Sequence, residues 1–147
     1  MIQEVKKCSG DLIDSLVDIW EASVRATHTF LNNEEVLTIK KEVPAALAAV
    51  EQLFIMTDET DKPIAFMGIE GKRLEMLFVT PQKRGKGIGK ELVTYGIEAF
   101  DIDEVTVNEQ NTQAIRFYSY LGFVVVKRTE RDESGREYPL LYMRLTR

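Results

Sequence analysis

A glycine-spaced loop at residues 84–89 separates an apolar stretch of this chain from an amphipathic one. Before the loop, residues 74–79 are apolar except for one glutamate, which is the pattern of a strand in a sheet. After it, apolar residues recur at helical spacing at Ile88, Leu92, Tyr95 and Ala99. A strand, a tight turn and a helix in this order favour a fold in which helices pack on a sheet.

The remaining segments extend this mixed pattern along the chain. Alternating or apolar runs bounded by turn-forming residues predict strands at 2–6, 53–57, 63–70, 73–80, 102–107, 123–127 and 138–145. Helical periodicity predicts a helix after the caps Ser9 and Asp11, a kinked helix or two short ones over 33–50, and a helix over 112–121. We expect a mixed α/β (α+β) fold in a single domain over residues 1–147, because this length is typical of one domain.

The composition argues against several function classes. A net charge of −5 is the wrong sign for general nucleic-acid binding. Residues 1–7 do not resemble a signal peptide, and no apolar run approaches the roughly 18 residues of a membrane span, so we expect a cytoplasmic protein without membrane partners. A single cysteine, Cys8, and a single histidine, His28, cannot supply a disulfide or a closed zinc site, so we expect no metal.

The glycine loop is basic within this acidic background and suits a phosphate ligand. It is flanked or occupied by Lys83, Arg84, Lys86 and Lys90, with no acidic residue among them. A glycine turn at a helix N-terminus presents free backbone N–H groups and the positive end of the helix dipole. Lys90 is followed by Glu91 rather than Ser or Thr, which excludes the nucleoside-triphosphate loop, and the glycine spacing also excludes the dinucleotide fingerprint. The alternative interpretation is a tight turn with solvated lysines.

Two motifs resemble those of the GNAT superfamily of N-acetyltransferases. The first is Arg84-Gly85-Lys86-Gly87-Ile88-Gly89, which resembles the Arg-x-x-Gly-x-Gly motif and follows Leu77-Phe78-Val79-Thr80-Pro81. The second resembles Asn-x-x-Ala-x-x-Phe-Tyr-x-x-x-Gly-Phe and matches at Asn111, Ala114, Phe117, Tyr118, Gly122 and Phe123. The resemblance covers residues 53–127 well and implies the acyl-CoA N-acyltransferase fold, with a central, mostly antiparallel sheet flanked by helices.

The resemblance implies an enzyme that uses acetyl-CoA as cosubstrate and transfers its acetyl group to a primary amine of a small molecule or peptide. The implied coenzyme A-binding residues are Leu77, Phe78, Val79, Arg84, Gly85, Lys86, Gly87, Ile88, Gly89, Lys90, Asn111 and Tyr118. Tyr118 is also the implied donor of a hydrogen bond or proton to the departing thiolate. Its alternative role is a core aromatic beside Phe117, which we interpret as core. The rival function is a non-catalytic acyl-CoA-binding or regulatory module.

Two residues are candidates for the general base. Glu75 interrupts an apolar strand and, by alternation, shares a face with Leu77 and Val79, so desolvation is expected to raise its pKa. Its alternative is an ion pair with Arg73 or Lys72. His28, at the junction of the first two helices, ranks second, and a structural hydrogen bond is its alternative role.

The acceptor side is less defined. We interpret Trp20, Phe30 and Met76 as core residues, with the acceptor pocket as their alternative place. No serine has a nucleophile elbow, and Cys8 is far in sequence from both motifs, which favours direct transfer in a ternary complex. The acceptor cannot be named from the sequence, and the oligomeric state is open, with a homodimer among the alternatives.

Overall fold

The computed structural model describes residues 1–146, which form one seven-stranded sheet with helices on both faces. The strands are β1 (Ile2–Val5), β2 (Gln52–Thr57), β3 (Pro63–Glu70), β4 (Arg73–Val79), β5 (Glu104–Asn108), β6 (Phe123–Thr129) and β7 (Leu140–Leu145). Their order across the sheet is β1-β2-β3-β4-β5-β7-β6, and every pairing is antiparallel except that of β4 with β5. The expected mixed fold with a mostly antiparallel sheet is confirmed.

Within residues 1–146, five α-helices and one short 3₁₀ turn connect the strands. The helices are α1 (Gly10–Thr27), α2 (Asn33–Lys40), α3 (Val43–Ala49), α4 (Ile88–Phe100) and α5 (Thr112–Tyr120), and the turn is Pro81–Lys83. Ser9 caps α1 by accepting a hydrogen bond from the Leu12 N–H. Pro44 lies in the first turn of α3, where its missing N–H costs nothing, so residues 33–50 form two helices rather than one kinked helix. None of the helices in this part of the chain is long and apolar enough to cross a membrane.

The core has one cluster on each face of the sheet. Helices α1, α2 and α3 bury Leu16, Trp20, Val36 and Leu47 on one face, and helices α4 and α5 cover the other. Strand β3 is buried on both faces because Phe66 points into the first cluster while Met67 points into the second. Its nearly all-apolar sequence indicates this central position. Trp20 and Met76 belong to the first cluster, in agreement with their interpretation as core residues.

Helix α4 packs on the sheet through a stripe that differs from the predicted one. Leu92 and Val93 are fully buried, whereas Tyr95 and Ala99 are exposed. Gly96 completes the buried stripe, and a Cβ atom there would lie 2.4 Å from Cδ1 of Ile102. The apolar periodicity misses this position because a glycine contributes no hydrophobic side chain, although its lack of one permits the close approach.

Strand β4 contains a bulge that separates it from its parallel neighbour. Its register with β3 shifts between the pairs Gly68–Met76 and Ile69–Leu74, which leaves Glu75 as the extra residue. Leu74 consequently packs in the same cluster as Leu77 and Val79. Strands β4 and β5 pair only at Arg73–Glu104 and Leu74–Val105 within residues 1–146, so their pairing ends just before the bulge.

Candidate functional site

A cavity of about 450 Å³ lies at the end of β4 that has no pairing with β5. Its walls are the last residues of β4, the glycine loop with the start of α4, the last turn of α1 and one side of α5. The sequence-predicted residues that line it are Leu77, Phe78, Val79, Arg84, Gly85, Gly87, Ile88, Gly89, Lys90, Asn111, Tyr118 and His28. Two motifs and a histidine from three distant segments of the chain are therefore brought to one place.

The glycine loop presents its backbone to this cavity. Gly85 and Gly87 have φ values of 77° and 78°, a left-handed conformation that glycine adopts without strain. Gly87 is the N-cap of α4 and supplies no side-chain cap. Within residues 1–146, the backbone N–H groups from Gly85 to Lys90 donate to no protein acceptor. These free donors, at the positive end of α4, form a cradle for a phosphate group.

Basic side chains surround the cradle. Lys83, Arg84 and Lys90 line the cavity, and Arg84 Nη2 donates to Oε1 of Gln113 at 2.6 Å, which links the loop to α5. Lys86 instead lines a separate hollow on the other side of the loop, beside Asp58. Three basic residues therefore lie on the cavity side of the loop, although the chain as a whole is acidic. This local positive charge favours an anionic ligand over a simple solvated turn.

The part of β4 that lines the cavity has an unpaired edge within residues 1–146. The edge of β4 opposite β3 has no partner from Met76 to Val79 among the described strands, since pairing with β5 ends at Leu74. Free N–H and C=O groups along a strand bind an extended polar chain by adding to the sheet. The coenzyme A-binding role that the resemblance implies for Leu77 and Val79 is compatible with this edge.

Asn111 stands where β5 is followed by α5. Its side-chain Oδ1 caps α5 by accepting from the Ala114 N–H at 3.2 Å. Its Nδ2 atom lies 3.4 Å from Nε2 of His28, which is 83 residues away in the sequence. The cap and the histidine contact together fix the orientation of the Asn111 amide group.

Tyr118 is buried on α5 and lines the same cavity. Its side chain is 7% exposed, and its ring packs edge-on against Phe117 and Phe123. Burial raises the pKa of the Tyr118 phenol far above its usual value, so the hydroxyl is neutral and carries its proton at pH 7. That hydroxyl makes no hydrogen bond to any residue in 1–146. A donor without a protein partner in the wall of a cavity is suited to a ligand atom.

His28 is the C-cap residue of α1 and lines the cavity next to Asn111, the N-cap residue of α5. Its Nδ1 atom lies 2.7 Å from Oγ1 of Thr27, and its ring contacts that of Phe30 at a centroid distance of 5.4 Å. Burial lowers the pKa of the His28 imidazole below its ordinary value of 6.5, so the ring is neutral at pH 7. A neutral imidazole and a neutral phenol in the lining of one cavity offer one proton acceptor and one proton donor.

Glu75 lies outside the cavity, contrary to the face that strand alternation predicts for it. The bulge at this residue lets Leu74, not Glu75, pack with Leu77 and Val79. Its carboxylate is 31% exposed and lies 3.3 Å from Arg73 Nε, so the alternative ion pair with Arg73 is present. Partial burial raises the pKa of Glu75, and the Arg73 charge opposes this shift.

Several residues that line the cavity are not predicted to do so from the sequence. One of them is interpreted there as a core residue, and the others are not assigned to the site. Phe117, interpreted as core, lines the cavity, and its Cζ atom would lie 3.4 Å from a Cβ atom at Gly89. Gln113 and the α1 residues Ser23 and Thr27 also line it. Phe117 lies on the second motif, which could have indicated its place, whereas Ser23 and Thr27 have no motif around them.

A wall next to His28 joins α1 and α2 to the segment between β6 and β7. The Phe30 ring contacts the Tyr138 ring at 5.6 Å, and the Tyr138 hydroxyl donates to the Glu35 carboxylate. Arg136 Nη2 pairs with Glu42 at 3.0 Å. Phe30 is half-buried and stands between His28 and Tyr138, but it does not line the cavity, so its alternative place in an acceptor pocket stays a prediction.

Comparisons with known proteins agree with this geometry. A family model described as an acetyltransferase (GNAT) domain matches residues 20–146. A curated relative from Salmonella typhimurium strain LT2, named peptidyl-lysine N-acetyltransferase YjaB, is 38% identical over 96% of this chain and 97% of its own length. The solution structure of apo YjaB from Escherichia coli superposes with a TM-score of 0.87 at 35% identity, covering 99% of this chain and 98% of that one.

A more distant structure shares only the fold. The PaiA N-acetyltransferase from Thermoplasma acidophilum, solved in complex with coenzyme A, has a TM-score of 0.70 at 18% identity, with 97% of this chain and 98% of that one covered. The family match decides between the two predicted classes in favour of the enzyme over a non-catalytic module. The chain belongs to the GNAT acetyltransferase family and is an N-acetyltransferase with acetyl-CoA as its cosubstrate.

Proposed function

We propose that this enzyme acetylates the ε-amine of lysine residues in peptides or proteins by direct transfer, with Tyr118 as the acid and His28 as the base. The observation that carries this proposal is the pairing of a buried, unpartnered phenol with a neutral imidazole around one cavity. The relatives with 38% and 36% identity are both named peptidyl-lysine N-acetyltransferases, which supports lysine as the acceptor.

The residues of the cavity fit coenzyme A in its separate parts. The free N–H groups from Gly85 to Lys90 would bind the pyrophosphate, and the unpaired edge of β4 would pair with the pantetheine arm. Bound acetyl-CoA supplies an acetyl group on a thiolate leaving group. Tyr118 donates to that sulfur, and its raised pKa keeps the proton on the phenol until the sulfur becomes negative.

The aromatic surface beside His28, next to the cavity rather than in its lining, suits a lysine side chain. The rings of Phe30 and Tyr138 offer apolar faces to its methylene groups, which pack readily on aromatic surfaces. His28 takes a proton from the ammonium group, because only the neutral amine is a nucleophile. Cys8 does not line the cavity, and burial raises the pKa of its thiol, so direct transfer is favoured over an acyl-enzyme.

His28 is preferred over Glu75 as the base because His28 lines the cavity while Glu75 lies outside it. Glu75 would need a chain of water molecules to reach the acceptor amine. Its ion pair with Arg73 only partly opposes the rise in pKa that burial causes, so the position of Glu75 and not its pKa is the reason against it.

The test is release of free thiol from acetyl-CoA with a set of synthetic peptides as acceptors. An N-terminally blocked peptide with one internal lysine is expected to release thiol and to gain one acetyl group by mass spectrometry. The same peptide with arginine in place of lysine is the control. Equal thiol release from both peptides, or release only from unblocked N-termini or small amines, would refute lysine as the acceptor.

A further inference from the structure

The surroundings of His28 specify which of its two ring nitrogens carries the proton. We propose that a hydrogen-bonded chain from Ser23 through Thr27 and His28 to Asn111 holds the imidazole as the Nδ1–H tautomer, which makes Thr27 and Asn111 positioning residues for a proton-accepting Nε2. This inference rests on the proposed function, because it takes His28 to be the base.

One end of the chain fixes the role of Nδ1. The Thr27 hydroxyl donates its single proton to the backbone carbonyl of Ser23 at 2.8 Å, the usual bond of a threonine to the preceding helical turn. Having given that proton away, Thr27 Oγ1 can only accept at its other contact, which is Nδ1 of His28 at 2.7 Å. The Nδ1 atom must therefore carry a hydrogen.

The other end fixes the role of Nε2 independently. Asn111 Oδ1 accepts from the Ala114 N–H as the cap of α5, so its amide nitrogen faces the histidine. An amide nitrogen donates and does not accept, which requires a lone pair on Nε2. Both ends of the chain thus demand the same tautomer, although they lie on helices α1 and α5 and share no atom.

The consequence is a base with its lone pair turned toward the cavity. The 3.4 Å separation of Asn111 Nδ2 and His28 Nε2 is long for a hydrogen bond, so a stronger donor such as an ammonium group can displace it. The Phe30 ring packs against the imidazole and restricts its rotation. The charged side chains that line the same cavity are Lys83, Arg84 and Lys90.

The step served by this arrangement is balanced in protons. The lysine ammonium gives one proton to Nε2 of His28, from which it passes to solvent. The neutral amine then forms the C–N bond to the acetyl carbon while the C–S bond breaks. The second proton lost by the nitrogen replaces the one that Tyr118 gives to the departing sulfur. The products are an acetylated lysine and a free thiol, with no oxidant or reductant required.

The direct test is ¹⁵N NMR spectroscopy of the imidazole ring, which is simplified because the chain has one histidine. The wild-type protein at a pH above the His28 pKa is expected to show a pyrrole-like Nδ1 and a pyridine-like Nε2. A pyrrole-like Nε2 would overturn the proposal. Since this experiment needs no acceptor, its outcome is separate from any failure to acetylate lysine peptides.

Two kinds of variant probe the ends of the chain. Thr27→Val removes the acceptor of Nδ1–H and leaves only the long 3.4 Å contact with Asn111 to favour one tautomer, so a mixture of tautomers is expected, with Thr27→Ser restoring the wild-type spectrum. Asn111→Asp retains the cap on α5 but places a carboxylate oxygen opposite Nε2, so that Nε2 is expected to gain a proton. An unchanged pyridine-like Nε2 in folded Asn111→Asp would show that the facing group does not control the ring.

Kinetics with the lysine peptide distinguish positioning from a structural role. Thr27→Val is expected to lower kcat roughly tenfold, since a base in the wrong tautomer loses part of its contribution. Affinity for acetyl-CoA should be unchanged, and Thr27→Ser should recover kcat. An unaltered kcat in Thr27→Val despite a mixed ring spectrum, or a loss that Thr27→Ser does not recover, would overturn the role of Thr27.

Discussion

The two walls of the cavity are built in different ways. The donor wall consists mainly of backbone: the glycine loop with its free N–H groups and the unpaired edge of β4. The other wall, which we call the catalytic wall after the roles proposed for its residues, consists of side chains from α1 and α5, where His28 and Asn111 meet across 83 residues of sequence. A backbone wall tolerates many side chains but depends on local φ and ψ angles, whereas a side-chain wall depends on single atoms. Variants of the donor wall are therefore expected to change the Kd for acetyl-CoA, and variants of the catalytic wall are expected to change kcat.

The largest effect is expected on the catalytic wall from Tyr118→Phe. This change removes one hydroxyl that has no partner within residues 1–146, so packing against Phe123 and stability should persist. Loss of a proton donor to the sulfur is expected to lower kcat by about 10² to 10⁴. Titration calorimetry with acetyl-CoA is expected to show an unchanged Kd. A kcat within twofold of wild type would exclude Tyr118 as the acid.

His28→Gln tests the opposite side of the same wall. Glutamine retains hydrogen-bonding groups but cannot take up a proton, so kcat with the lysine peptide is expected to fall by about 10² at neutral pH. Thermal unfolding monitored by circular dichroism is the control for folding. A folded variant with wild-type kcat would show that another group, or solvent, accepts the proton.

Gly96→Ala tests the packing behind the donor wall rather than the wall itself. A Cβ atom at this position would lie 2.4 Å from Ile102 Cδ1, so the core must shift. Overpacking of this kind costs about 1–3 kcal/mol in the free energy of unfolding. Urea unfolding is the measurement, and Gly10→Ala, where nothing lies within 4 Å, is the matched control. Equal stability of the two variants would contradict the close approach of α4 to Ile102.

Gly87→Ala should affect donor binding more than core packing. A Cβ atom there meets no atom within 4 Å, but the φ of 78° costs a non-glycine residue about 1–2 kcal/mol. If the loop changes conformation to relieve that strain, the phosphate cradle is lost, and the Kd for acetyl-CoA is expected to rise roughly tenfold. kcat at saturating acetyl-CoA should stay near wild type. A fall in kcat without a change in Kd would remove the functional distinction between the walls.

The sequence predicts the donor side better than the catalytic side for a physical reason. Glycine spacing, helix caps and strand alternation are local rules, so neighbouring residues alone suffice to locate the loop, β4 and α5. The bulge at Glu75 and the buried Gly96 do not follow these local rules. Because of the bulge, Glu75, the first candidate for the base, lies outside the cavity. The contact of His28 with Asn111 arises only when α1 and α5 pack on the sheet, and no local pattern encodes it.

The acid limb of the pH–rate profile tests most directly the claim that His28 is the base. Burial lowers the His28 pKa below 6.5, so kcat/KM for the lysine peptide should be lost as pH falls through that lowered pKa and level off above it. We predict that His28→Gln abolishes this limb, while Glu75→Gln retains it with kcat/KM within about twofold of wild type. A limb that persists in His28→Gln and disappears in Glu75→Gln would contradict the assignment of the base.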